Sequence, residues 1–254
     1  MDKLWLRRYG LVSAAGALIL LLCSALYAPD ASAYRLVLGC LGGLVIVFCA
    51  LPKRSRLGFA ILGGIAVDAM LCWFFNSSPK PIGIIHSCVV SSIVSLSVAN
   101  ALSLRDSFSS DVVQLDDPGH PSLRSLSVFA GFSLAAQIVL GASFRREAIP
   151  VIPHIIGAML VAAIVLYLVM AVFMQYSSHS ELKNPSIVLT GLIGTQVLLG
   201  IGAFLNKAGQ PVFAMPSQFF SAAHIVTGSL TMAMTVVLGM RISRHTRPAM
   251  VVNS

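Results

Sequence analysis

Eight stretches of this chain are apolar and long enough to cross the hydrocarbon core of a bilayer, which takes about 20 residues. They run near 10–27, 35–51, 58–76, 83–104, 123–143, 152–174, 186–205 and 218–241. In lipid every backbone N–H and C=O must be satisfied within the segment, so such runs fold as helices. Hydrophobic residues make up 57% of the sequence and charged residues 10%, against about a quarter charged in a soluble domain. The longest polar stretch, 105–124, is only a connector. The expected fold is therefore an all-α integral membrane protein with eight transmembrane helices and no separate soluble domain.

The net charge of +8 does not point to nucleic acid, because the basic residues lie in short clusters between apolar runs and form no stripe with interleaved aromatics. They read as topology signals. An N-terminus on the inside places Lys3, Arg7, Arg8, Lys53, Arg54, Arg56, Arg105, Arg124, Lys183, Arg241, Arg244 and Arg247 on the cytoplasmic face. Arg35, Lys80, Arg145, Arg146 and Lys207 remain outside. This is the asymmetry of the positive-inside rule and implies a cytoplasmic (inner) membrane protein with both termini cytoplasmic. A cleavable signal peptide ending near Ala31-Ser32-Ala33 is the rival reading and would leave seven helices; the run from Gly10 to Tyr27 is longer than a usual signal core. Cys23, Cys40, Cys49, Cys72 and Cys88 lie in or beside apolar runs without CxxC spacing, as small hydrophobes do.

Three odd-numbered spans share one local pattern: Asp68-Ala-Met-Leu-Cys72, Gln137-Ile-Val-Leu-Gly141 and Gln196-Val-Leu-Leu-Gly200. Each sets a polar side chain one turn before a small residue, a combination that lets membrane helices approach and hydrogen-bond. Each is followed by an even-numbered span with a histidine near its outer end: His86, His154 and His224. The remaining even span has Tyr34 there. The chain thus divides into a four-helix repeat over 1–104, a linker over 105–122 and a second four-helix repeat over 123–254. An even helix count keeps the two pseudo-symmetric bundles in the same orientation, related by an axis along the membrane normal.

His120, His179 and His245 fall in inside loops or the tail, where solvated polar residues are ordinary. Three histidines at matching depth on corresponding helices are not. Neutral imidazole is the common axial ligand of haem iron, and a macrocycle held between two helices takes one nitrogen from each side. His154 and His224 meet that requirement. Arg145, Arg146 and Lys207 lie near the same surface and could pair with haem propionates, or be ordinary loop charges. Zinc and copper sites want three or four N or S ligands, and no third is evident in this repeat. No Gly-rich phosphate loop, Ser-His-Asp set or close carboxylate pair is present. Asp68, an ionisable group inside a span, serves either interhelical bonding or a proton path.

These segments resemble the haem A synthase family. The carriers are Gln137-Ile-Val-Leu-Gly-Ala-Ser-Phe-Arg145 leading to Pro153-His154-Ile-Ile-Gly157, and Gln196-Val-Leu-Leu-Gly200 leading to Ala223-His224-Ile-Val-Thr-Gly228. The stretch from Gly58 through His86 to Leu104 is similar too. The resemblance implies a bis-histidine haem b on His154 and His224 that moves electrons. It also implies a first-repeat site, faced by His86, where haem O is oxidised at a methyl group to the formyl of haem A. Haem O synthase or a haem-copper oxidase would be the partners, besides haem and membrane lipid. The first two spans depart from the family pattern Glu-x-x-His-Arg and read Ala31-Ser-Ala-Tyr34-Arg35. Tyr34 could ligate iron as a phenolate, helped by Arg35, with Asp30 replacing the glutamate, or the first site is altered. Three readings follow: a haem A synthase type oxidoreductase, a non-catalytic haem carrier or oxidase assembly factor, and a proton-coupled transporter.

Overall fold

The computed structural model describes residues 3–26, 37–39, 41–42, 56–74, 80–104, 114–209 and 217–248. Helices α1 (Lys3–Leu26), α2 (Arg56–Phe74) and α3 (Lys80–Ser103) precede a short strand β1 (Leu115–Asp117). Then come α4 (Leu123–Arg145), α5 (Val151–Tyr176), α6 (Ser180–Lys207), α7 (Ser217–His245) and β2 (Thr246–Pro248). Among the described residues six helices, α1 and α3 to α7, are long and apolar enough to cross a membrane. The apolar part of α2, Leu57–Trp73, is shorter. Most of the expected second span lies outside the described residues; its residues 37–39 and 41–42 are helical. The architecture is all-α and membrane-embedded.

The helices overrun the apolar stretches that mark them. The seventh apolar run begins at 186, yet α6 starts at Ser180 and takes Pro185 into its body. Proline there removes the N–H that would have bonded the carbonyl four residues earlier. That carbonyl, on Glu181, instead accepts from Arg241 Nη1 at 2.9 Å, and the same guanidinium pairs with the Glu181 carboxylate. The lost helix bond is thus replaced by one that ties α6 to α7.

Packing runs around two centres. α3 touches α1, α2, α4 and α7; α7 touches α6, α4, α1 and α3; α5 packs between α4 and α6. One buried cluster joins Leu126, Ala130, Val165, Leu168, Leu189 and Leu238 of α4 to α7. The other joins Ala17, Leu20, Ile61, Val90 and Ile93 of α1 to α3 with Leu38 and Leu41. Where the halves meet, α3 offers small polar side chains: Ser95 Oγ donates to the Ser229 carbonyl of α7 at 3.0 Å. Small residues allow this close approach and satisfy the hydroxyl without water. Large apolar side chains such as Phe132, Met159, Met174 and Leu198 point outward, as they must where lipid replaces solvent.

One end of the bundle, the strand end, is organised by polar contacts. β1 pairs in parallel with β2, Leu115 opposite Thr246 and Asp117 opposite Pro248. The connector expected between the repeats therefore holds a fixed structure over 114–122. Asp117 accepts from the backbone N–H of Leu123 at 2.7 Å and of Gly119 at 3.2 Å, supplying an acceptor for an orphan donor at the start of α4. Tyr176 donates to the Asp116 carbonyl at 2.8 Å, and Arg247 pairs with the Asp116 carboxylate at 2.8 Å.

Candidate functional site

The opposite end carries the histidines. His154 stands in the first turn of α5, after Pro153, whose ring is tolerated there because first-turn N–H groups have no helical partner. His224 stands in the second turn of α7. Helices α5 and α7 lie across the α4–α7 half from each other, because packing runs α4 to α5, α5 to α6, α6 to α7 and α7 back to α4. Their imidazoles nevertheless face one another, with ring centroids 6.2 Å apart and planes at 84°.

Each ring is seated by the repeated pattern on the preceding helix. Gln137 Nε2 lies 2.9 Å from His154 Nδ1 and donates to the His154 carbonyl at 2.9 Å. Gln196 Nε2 lies 3.2 Å from His224 Nε2, while His224 Nδ1 lies 3.1 Å from the Gln196 carbonyl. A carbonyl only accepts, so His224 carries its proton on Nδ1 and keeps the Nε2 lone pair. The small residue one turn on gives the ring its room. A Cβ on Gly141 would meet His154 Cε1 at 3.1 Å, and one on Gly200 would meet His224 Cε1 at 3.0 Å. Glycines on the histidine helices do the same for the amides, Gly157 against Gln137 and Gly228 against Gln196. The amide oxygens of both glutamines are buried and make no hydrogen bond.

The α1–α3 half repeats the seat with different chemistry. Asp68 replaces the glutamine and Cys72 the glycine. His86 Nδ1 lies 2.7 Å from Asp68 Oδ1 and 3.9 Å from Cys72 Sγ, and His86 Nε2 lies 3.1 Å from Ser24 Oγ of α1. His86 and Asp68 are 3% and 0% exposed, so both ring nitrogens meet protein groups rather than open space. Tyr34, Arg35 and Asp30 lie outside the described residues.

The cations separate. Lys207 Nζ sits 4.5 Å over the ring of Phe144, which stacks at 6.2 Å on His154, so it belongs to the facing pair. Arg145 and Arg146 reach the other half. Arg145 Nη2 donates to the Ala25 carbonyl at 2.7 Å, and the Arg146 guanidinium covers Gly83 of α3. A guanidinium at a helix C-terminus satisfies orphan carbonyls and the dipole together. Lys80 completes this junction by donating to the Glu147 carbonyl at 3.1 Å. Among the residues expected at a site, the fold thus joins His154, His224 and, through Phe144, Lys207.

Two partners are new. The alignment of Asp68 with Gln137 and Gln196 carried a signal for the Asp68 contact with His86, but nothing in the local sequence marks Ser24. No family model matches this chain and no curated protein aligns with it.

Proposed function

We propose that this protein is a membrane haemoprotein of the haem A synthase type, with His154 and His224 as the two axial ligands of a b-type haem. The observation that carries the reading is the facing pair. Two imidazoles bound at about 2 Å to opposite sides of one iron place their ring centroids roughly 6 Å apart, and these centroids are separated by 6.2 Å. The donor set fits the group. His224 already has the ligating tautomer, and its Nε2 lone pair, which accepts from Gln196 Nε2 at 3.2 Å, would pass to iron as that amide turns away. Half a turn of the Gln137 amide would present its unpartnered oxygen to His154 Nδ1, leaving the Nε2 lone pair for iron at the cost of one hydrogen bond to a carbonyl.

The reading extends to the architecture: eight spans in two pseudo-symmetric four-helix bundles, both termini cytoplasmic. Exchanging α1 with α4, α2 with α6 and α3 with α7 turns the α1–α3 contact into α4–α7, α2–α3 into α6–α7 and α3–α4 into α7–α1. Such a correspondence supports descent from one repeated bundle. When bound, the haem would supply one-electron transfer, since two histidine ligands leave no open iron position. The chain's own part is to seat both rings, through Gln137 and Gln196, and to exclude water from between them. Oxidation of haem O to haem A at the first repeat is the activity that the resemblance implies.

A second reading is favoured by one observation. His86, which would face that first-repeat substrate, is clamped between Asp68 and Ser24, an arrangement suited to a haem carrier or oxidase assembly factor that performs no oxidation. Absorption spectra of the detergent-purified protein, oxidised and reduced, test the shared claim: a b-type spectrum is expected, and colourless protein made with ample haem would overturn it. Extraction of haems after co-expression with a haem O source separates the two readings, because only the enzyme yields the formyl product.

A further inference from the structure

We propose that Asp68, Cys72 and His86 form a binding site for a divalent transition-metal ion of the zinc class. The inference is independent of the haem on His154 and His224, since it concerns the other half of the molecule and a different ion; an ion held by His86 would withdraw that ring from a first-repeat haem, in accord with the carrier reading. The three side chains present one carboxylate oxygen, one thiol sulfur and one imidazole nitrogen, all within 4.8 Å of one another. They are 0%, 7% and 3% exposed.

Four features favour a metal over simple packing. First, the ligand types are those of zinc sites, and three protein ligands with one open position is an ordinary zinc arrangement. The carboxylate argues against the all-soft set that copper(I) prefers. Second, charge balances. Bound as carboxylate, thiolate and neutral imidazole, the three ligands bring two negative charges, which a divalent cation cancels, and a neutral cluster is what a low-dielectric interior tolerates.

Third, the outer contact is in place. Ser24 Oγ lies 3.1 Å from His86 Nε2, where it can accept the N–H of that nitrogen and aim the Nδ1 lone pair at Asp68 and Cys72; metal-bound histidines are normally oriented in this way. Fourth, the other half is an internal control. The same two positions in the equivalent seats hold Gln137 with Gly141 and Gln196 with Gly200, none of them a usual zinc ligand. Here both positions carry ligands, i and i+4 on one helix face. Opening the 2.7 Å contact between Asp68 and His86 by roughly half an ångström, with metal–ligand bonds of about 2.0 to 2.3 Å, makes the space. The cluster sits near the end of α2 and in the second turn of α3, near one end of the bundle.

The test uses the full-length protein, purified in detergent without a histidine tag. Cobalt(II) titration reads the site directly through the near-ultraviolet thiolate-to-cobalt charge-transfer band, and elemental analysis reads zinc. We expect one ion per chain, with the band lost in Cys72→Ser and the affinity lowered roughly tenfold or more in Ser24→Ala. Haem absorbance recorded on the same samples stays unchanged, which keeps this result separate from the haem claim. Wild-type protein that shows no cobalt band, or Cys72→Ser and Asp68→Asn variants that bind zinc as tightly as wild type, would overturn the proposal. The wild-type titration decides by itself even where a variant fails to fold.

Discussion

The two halves of this molecule hold histidines in the same kind of seat and furnish it with opposite chemistry. Around His154 and His224 the partners are neutral amides, and glycine leaves room beside each ring. Around His86 the partners are a carboxylate, a thiol and a hydroxyl, and the ring is enclosed. An amide positions an imidazole without adding charge, so two such rings can stand opposite each other. A carboxylate facing a ring nitrogen makes a stronger hydrogen bond than an amide does and ties its ring to one helix. The seat is a scaffold, and the two residues at i and i+4 decide what it serves.

The most severe way to break this comparison is to remove one ring of the facing pair. His224→Ala or His154→Ala should abolish nearly all haem absorbance of the purified protein, whereas His86→Ala should leave most of it. Equal losses from all three would show that the halves are not differentiated as described. The next effect is on stability. Asp68→Ala leaves a buried imidazole nitrogen without its partner and should cost about 2 to 3 kcal/mol, seen as an earlier thermal transition in detergent. Gln196→Ala, which removes an amide from a half-buried neutral ring, should cost about 1 kcal/mol. Similar shifts from the two would argue against carboxylate versus amide as the distinction.

Glycine substitution sharpens the same contrast on a smaller scale. Gly157→Ala places a Cβ 2.4 Å from Gln137 Oε1, which must displace the amide and should destabilise the fold by about 1 to 3 kcal/mol. Haem content should fall with it, because His154 loses its orienting partner. Gly63→Ala, at a helix position where a Cβ meets nothing within 4 Å, is the matched control on α2: it should leave haem content unchanged and gain up to about 1 kcal/mol from helix propensity. The smallest effect belongs to the turn that joins the halves. Glu147 has a positive φ of 56°, so Glu147→Gly should gain up to about 1 kcal/mol by relieving the left-handed conformation while keeping its carbonyl for Lys80. A loss of stability there would mean that the Glu147 side chain contributes more than its backbone.

Much of the fold was legible because hydrophobic length is a one-dimensional quantity. Among the described residues, six of the eight expected spans appear as helices long and apolar enough to cross a membrane, and α2 appears as a shorter one. Helix ends were less legible: α6 starts at Ser180, since Arg241 takes up the carbonyl that Pro185 leaves open, and no local rule anticipates a partner 60 residues away. The pairing of the connector with the tail is not legible locally either, because it depends on residues at the far end of the chain. In the site, the spacing from Gln137 to Gly141 and from Gln196 to Gly200 already implied a shared role beside His154 and His224. The expected set of cations came apart because Arg145 bonds the Ala25 carbonyl and Arg146 covers Gly83, contacts with segments distant in sequence.

The amino-acid order alone established that this chain lies in a membrane as helices and that a motif recurs along it, since both follow from side-chain type and spacing along one axis. Which way each ring turns, and what stands opposite it, was settled only when α5 came to lie across the bundle from α7 and α1 brought Ser24 to His86. Those choices depend on how helices pack against one another, and distances between them are set by the side chains of several segments at once.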